Sequence, residues 1–190
     1  MCRNSKGEKM LKVYYGDSGE GSDHEFSWNM LRKVLKEDFN ISFSDDDIIF
    51  NEHGKPFLKG NLVYFNISHY GNLCAVAISD NEVGIDTEHR DMMKNGFNEK
   101  EYRTWLSDKE QKELLKSDDP VGFLAIKWAE KRSILKMIGS GLLNVQSLKN
   151  AFRRKRRYNV TSFWIGNYCL SVTNRKGEEL KMRNLVRFKG

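Results

Sequence analysis

Residues 118–141 limit the possible folds more than any other stretch. Asp118-Asp119-Pro120 is a helix start, with an acidic cap and proline near the first turn, and Gly139-Ser140-Gly141 is a stop. Between them, from Val121 to Ile138, the apolar residues fall on two sides. Phe123, Ile126, Ile134 and Met137 make one arc, and Leu124, Trp128 and Leu135 another. A helix apolar on two sides is sandwiched between layers rather than laid on a surface.

The remaining pattern supplies those layers. Leu11 to Tyr15 reads as a strand, and a Gly/Ser/Asp loop follows. Phe26, Met30, Leu31, Val34, Leu35 and Phe39 have helical spacing, with Ser27 or Asp23 as expected cap. Ile48 to Phe50, Leu62 to Ile67, Leu73 to Ser79 and Glu82 to Glu88 read as strands, with His53-Gly54-Lys55-Pro56 and Asp80-Asn81 as turns. Residues 89–98 read as a polar loop, and Glu99 to Lys116 as helix broken near Ser107-Asp108. The tail alternates as strands over Tyr158 to Ile165, Tyr168 to Thr173 and Leu180 to Phe188, with Gly166-Asn167 as a hairpin turn. The expected class is α+β, with an N-terminal lobe over 1–80, a C-terminal lobe over 81–190 and a site at their interface.

Composition narrows the function classes. Among 190 residues, 4 Trp, 7 Tyr and 11 Phe argue against wholesale disorder. The longest apolar run, Leu73 to Ile78, is far short of the roughly 20 residues a membrane span needs. Cys2, Cys74 and Cys169 are isolated, so neither a disulfide framework nor a zinc site is indicated. No apolar secretory segment opens the sequence, and a cytoplasmic monomer without membrane contact is expected. The net charge of +6 favours an acidic partner. The basic run Arg153-Arg154-Lys155-Arg156-Arg157 keeps a nucleic-acid-binding protein as a rival, less favoured than a solvated loop.

Three segments carry chemistry. In Val83-Gly84-Ile85-Asp86-Thr87-Glu88, residues two apart share a strand face, so Asp86 and Glu88 point the same way. Paired carboxylates repel unless a cation or proton joins them, and magnesium is a natural occupant, unless the pair simply lies on a solvated edge strand. In Asn66-Ile67-Ser68-His69, expected where a strand ends, Ser68 and His69 can donate to phosphate oxygens, or merely form a capped turn. On the long helix, Lys131, Arg132 and Lys136 border the Trp128 arc, which suits a polyphosphate cleft or plain snorkelling to water.

Taken in order, Gly54-Lys55-Pro56, Phe65-Asn66-Ile67-Ser68-His69, Val83 to Glu88, Phe97 to Tyr102, Trp128 to Lys136 and Gly139-Ser140-Gly141-Leu142 resemble the 4'-phosphopantetheinyl transferase superfamily, in its longer two-lobed type. The resemblance spans about residues 53 to 142. It implies a fold of two pseudo-symmetric lobes and a transferase that moves 4'-phosphopantetheine from coenzyme A to a serine of an acyl or peptidyl carrier protein, releasing 3',5'-ADP. It implies magnesium held by Asp86 and Glu88, nucleotide phosphates held by Lys55, Ser68 and His69, and the diphosphate held by Lys131 and Lys136. Glu101 matches an acidic position of the family.

One residue departs from the pattern. The family's long helix carries a glutamate, a third metal ligand, where this chain has Arg132. Glu130 cannot replace it, since two helical steps turn about 200°. A guanidinium neither accepts a proton nor binds a cation. Transfer with Arg132 sharing the phosphate-neutralising work is the expected activity; a catalytically weakened coenzyme A binder is the alternative.

Overall fold

The structure, a computed structural model, describes residues 10–96, 99–141, 145–151, 158–177 and 180–188. The basic run 153–157, and Phe97 and Leu142 of the stretches that carry the resemblance, lie outside them. The chain opens with β1 (Leu11–Asp17), α1 (Asp23–Phe39), β2 (Ile48–Phe50), β3 (Pro56–Leu58), β4 (Tyr64–Tyr70), β5 (Leu73–Ser79) and β6 (Val83–His89). Then come α2 (Arg90–Gly96), α3 (Glu99–Trp105), α4 (Asp108–Leu114), α5 (Pro120–Ile138), α6 (Val145–Ala151), β7 (Tyr158–Ile165), β8 (Tyr168–Arg175) and β9 (Leu185–Arg187).

Two sheets of an α+β fold lie face to face. The first has the order β4-β5-β1-β9, with β1 antiparallel to β5 and parallel to β9. The second has the order β6-β8-β7, all antiparallel. Strand alternation sorts the apolar residues of the first sheet. Tyr14, Cys74, Val76 and Ile78 pack with Met30, Leu31 and Leu35 of α1. Their neighbours Leu11, Val13, Ala75 and Ala77 pack with Val83 and Ile85 of β6 and Leu170 and Val172 of β8. The far side of the second sheet meets α5, which also touches α2, α4 and α6. The two-sided helix therefore sits between layers, as its two apolar arcs require.

The caps explain the helix limits. Asp119 accepts from Gly122 N with proline at the first turn of α5, and Gly139, in the left-handed region at φ 72°, ends it. Ser107 and Glu110 form a capping box that starts α4 at the expected break. For α1 the cap is Ser22, which accepts from Glu25 N, rather than Ser27 or Asp23.

Besides β3, which pairs with β2 where only a turn was expected, four features differ from the pattern. Residues 90–96 form helix α2, not loop, with Met93 buried in the α5 cluster. Helix α6 had no strong periodic signal. The last strand is only Leu185–Arg187, entered through a 3₁₀ turn at Met182–Asn184. Asp80-Asn81 does not close a hairpin, because β5 and β6 belong to different sheets and the chain crosses between them there.

Candidate functional site

The site grows from the free edge of β6. This strand pairs with β8 on one side only, so its other backbone groups need partners. Two side chains of β4 supply them: Asn66 Oδ1 accepts from Ile85 N at 2.8 Å, and Ser68 Oγ accepts from Thr87 N at 3.0 Å. The Asn-x-Ser spacing thus stitches the two sheets together. It also places Ser68 within 3.4 Å of Asp86 Oδ1. Ser68 and His69 lie inside β4, which runs on to Tyr70 rather than ending before them.

Asp86 and Glu88 face α5 and are both 0% exposed, which removes the solvated-edge alternative. Trp128, Arg132 and Lys136, at successive i,i+4 positions, form one stripe over them. Glu88 Oε1 accepts from Trp128 Nε1 at 3.0 Å and from Arg132 Nη1 at 2.9 Å. Asp86 Oδ1 lies 3.3 Å from Lys136 Nζ, and Asp86 Oδ2 lies 3.4 Å from Arg132 Nε. The guanidinium therefore bridges the carboxylates. Asp86 Oδ2 and Glu88 Oε2 remain buried without a hydrogen-bond donor among the described residues.

Burial, and then the charge of Asp86, push the Glu88 carboxyl from its ordinary 4.5 up to about 8, against the pull of Arg132 and Trp128. Burial also lowers Lys136 below its ordinary value, against the pull of Asp86. A carboxyl whose folded pKa is raised stabilises the fold fully below pH 4.5 and loses that contribution as pH rises through 8. Removing the titration with Glu88→Gln makes the melting temperature, relative to wild type, increasingly favourable from pH 5 to pH 9. Parallel thermal melts across that range check this; a difference independent of pH refutes it.

A pocket of about 420 Å³ opens above this pair, between the start of α1, β4, the 53–56 turn and the end of α5. His24, Lys55, Ser68, His69, Arg132 and Lys136 line it. His69 Nδ1 lies 2.7 Å from Asp23 Oδ2, and His24 Nε2 accepts from Trp28 Nε1 at 3.2 Å. Lys55 donates to Met137 O at 2.7 Å, so its ammonium caps the last turn of α5, and burial lowers it to about 8. Asn51 clamps the same helix end through Gly139 O at 2.7 Å.

Five of the eight expected residues, Lys55, Ser68, His69, Arg132 and Lys136, thus line the pocket, and two more, Asp86 and Glu88, lie buried against Arg132 and Lys136. Lys131 does not join them. It is wholly buried on another side of α5, donating to Trp105 O at 2.6 Å and Glu110 Oε2 at 2.8 Å. One helical step turns about 100°, so Lys131 cannot share the Arg132 stripe. Glu101 is exposed on α3. Sequence reasoning missed Trp128 as a donor to Glu88, the Asn66 link and the Asn51 clamp. The i,i+4 spacing of Trp128 with Arg132 was the available signal for the first.

A family model described as the 4'-phosphopantetheinyl transferase superfamily matches residues 82–181, just over half of the chain. The chain belongs to this superfamily. The transferase match contains Asp86, Glu88 and the whole of α5. The chain is also similar to the 4'-phosphopantetheinyl transferase gsp of Aneurinibacillus migulanus, at 36% identity over 120 residues. That stretch is 60% of this chain and 46% of the relative, so the chain spans about half the length of the curated relative it matches. Among the described residues of this superfamily member, no helix is long and apolar enough to cross a membrane.

The magnesium ion that the resemblance implies does not fit these residues as they stand. Among the described residues no group of three or more His, Cys, Asp or Glu is gathered for a metal. The two carboxylates that are present already hold a guanidinium between them. Glu130, on the same helix, is turned away, with Lys127 Nζ at 3.1 Å and Ser162 Oγ at 3.5 Å.

Proposed function

We propose that this chain transfers 4'-phosphopantetheine from coenzyme A to a serine of an acyl or peptidyl carrier protein. The observation that carries this is the convergence of His69, Arg132 and Lys136 on one pocket above a buried carboxylate pair, in a chain of this superfamily. The serine oxygen attacks the phosphorus that bears pantetheine. The bond from that phosphorus to the bridging oxygen breaks, and 3',5'-ADP leaves. The serine proton ends on the leaving phosphate or in water. Charge develops on the bridging oxygen, and fixed cations in a site shielded from water stabilise it. In this reading Arg132 and Lys136 do that work, and their contacts with Asp86 and Glu88 hold them in position.

Purified protein, coenzyme A and an apo carrier protein, incubated with magnesium and separately with EDTA, are expected to yield a carrier heavier by one phosphopantetheine by mass spectrometry. A guanidinium at the carboxylate pair also favours a second reading, a coenzyme A binder without transfer. No mass gain with several carriers, alongside saturable coenzyme A binding, selects that reading and overturns the first.

A further inference from the structure

Building on the proposed use of coenzyme A, we infer that Arg132 is the cation of this site. Its guanidinium, rather than a divalent ion, bridges the Asp86–Glu88 pair to the diphosphate of the ligand.

The bridge is half built in the structure. Arg132 Nη1 is 2.9 Å from Glu88 Oε1 and Nε is 3.4 Å from Asp86 Oδ2. The side chain also lines the pocket, and Nη2 makes no hydrogen bond among the described residues. A guanidinium carries five donors in a planar fork, so it can hold carboxylates on one side and phosphate oxygens on the other.

Charge balance favours the guanidinium. Asp86 and Glu88 supply at most two negative charges, and fewer while Glu88 holds its proton below about pH 8; Arg132 and Lys136, the cations facing them from α5, already meet that charge. A divalent ion added beside the guanidinium would meet like-charge repulsion from it. Among the described residues no third carboxylate offsets it, because Glu130 faces Lys127 and Ser162. Arg132 sits in the stripe with Trp128 and Lys136 one turn to either side and β6 beneath, and the open side of its guanidinium faces the pocket.

The test is calorimetric titration of the full chain with coenzyme A in EDTA and in excess magnesium, with manganese alone titrated in parallel and followed by water-proton relaxation. Wild type is expected to bind coenzyme A within about threefold in the two conditions and to show no manganese site. Arg132→Gln is expected to lose at least tenfold in coenzyme A affinity in EDTA. Arg132→Glu is expected to gain a manganese site and to need a divalent ion for coenzyme A. Wild-type binding that is lost in EDTA, or a wild-type manganese site abolished by Asp86→Asn, overturns the inference and leaves the transferase proposal standing. Absence of coenzyme A binding in both conditions overturns the two together. Should Arg132→Gln not fold, Arg132→Lys keeps the charge without the fork, and the wild-type comparison decides by itself.

Discussion

Replacing Lys131 with alanine lowers the melting temperature by on the order of 10 °C and leaves coenzyme A affinity within about twofold. The ammonium is 0% exposed and donates to Trp105 O at 2.6 Å and Glu110 Oε2 at 2.8 Å, with its Nζ 5.6 Å from the centre of the Trp105 ring. Burial holds its pKa below the ordinary lysine value, and Glu110 works against that shift. Glu110 Oε2 is also the acceptor for Ser107 N at 2.7 Å and Ser107 Oγ at 2.8 Å, so one carboxylate oxygen serves both the ion pair and the start of α4. Truncating Lys131 strands this carboxylate in the interior, and breaking a buried pair in that way costs about 3–5 kcal/mol. The double variant Lys131→Met with Glu110→Gln removes both charges and is expected to recover much of the loss, since neutral replacement of a buried pair is often tolerated. Thermal melts and coenzyme A titrations of the three proteins separate the possibilities. A normal melting temperature with a tenfold loss of affinity would return Lys131 to the phosphates and refute its place in the core.

Lys131 also shows where sequence patterns stop. Its neighbours in sequence, Arg132 and then Lys136, lie at the pocket, and a basic cluster read along the chain puts all three together. On a helix, adjacency in sequence is a rotation, and only the i,i+4 members share a face. The pairing of Asp86 with Glu88 was legible because strand periodicity is 2 and tolerates no other arrangement. Helices α1 and α5 were legible for a similar reason, a long 3.6-residue pattern, closed in α5 by the expected start at Asp119 and stop at Gly139; the Ser22 cap of α1 was not read. Long-range pairings leave no such local mark. Strand β9 lies parallel to β1 from the far end of the chain, and β6 turned from an apparent hairpin partner of β5 into the edge of another sheet. Asn66 and Ser68 act on backbone groups of that edge, so their role becomes visible only once the edge is known. Helix α2 is short and polar, with one buried methionine, Met93, to betray its packing.

Gly84→Ala is expected to damage stability and binding together, in contrast to Lys131→Ala. At Gly84 a Cβ would fall 2.0 Å from Ser133 O, 2.5 Å from Met137 N and 2.9 Å from Met137 Cα. All three are backbone atoms of α5, so no rotamer change relieves the clash; strand and helix must separate. Overpacking in a filled interior costs about 1–3 kcal/mol when side chains can give way, and more is expected where only backbone can move. Ser133 and Met137 each directly follow a pocket residue, Arg132 and Lys136. A displacement of α5 from β6 therefore lengthens the contacts of both cations with Asp86 and Glu88, now 2.9–3.4 Å. The expected result is a loss of at least 3 kcal/mol in chemical denaturation, roughly the upper end of that range, with at least a tenfold fall in coenzyme A affinity for the protein that still folds. Lys131→Ala loosens the opposite side of the same helix and spares this contact, so the pair of variants separates the two sides of α5. A Gly84→Ala protein that melts within a few degrees of wild type and binds coenzyme A normally would mean that β6 and α5 do not touch backbone to backbone. The placement of the guanidinium over the carboxylates would then fall with that contact.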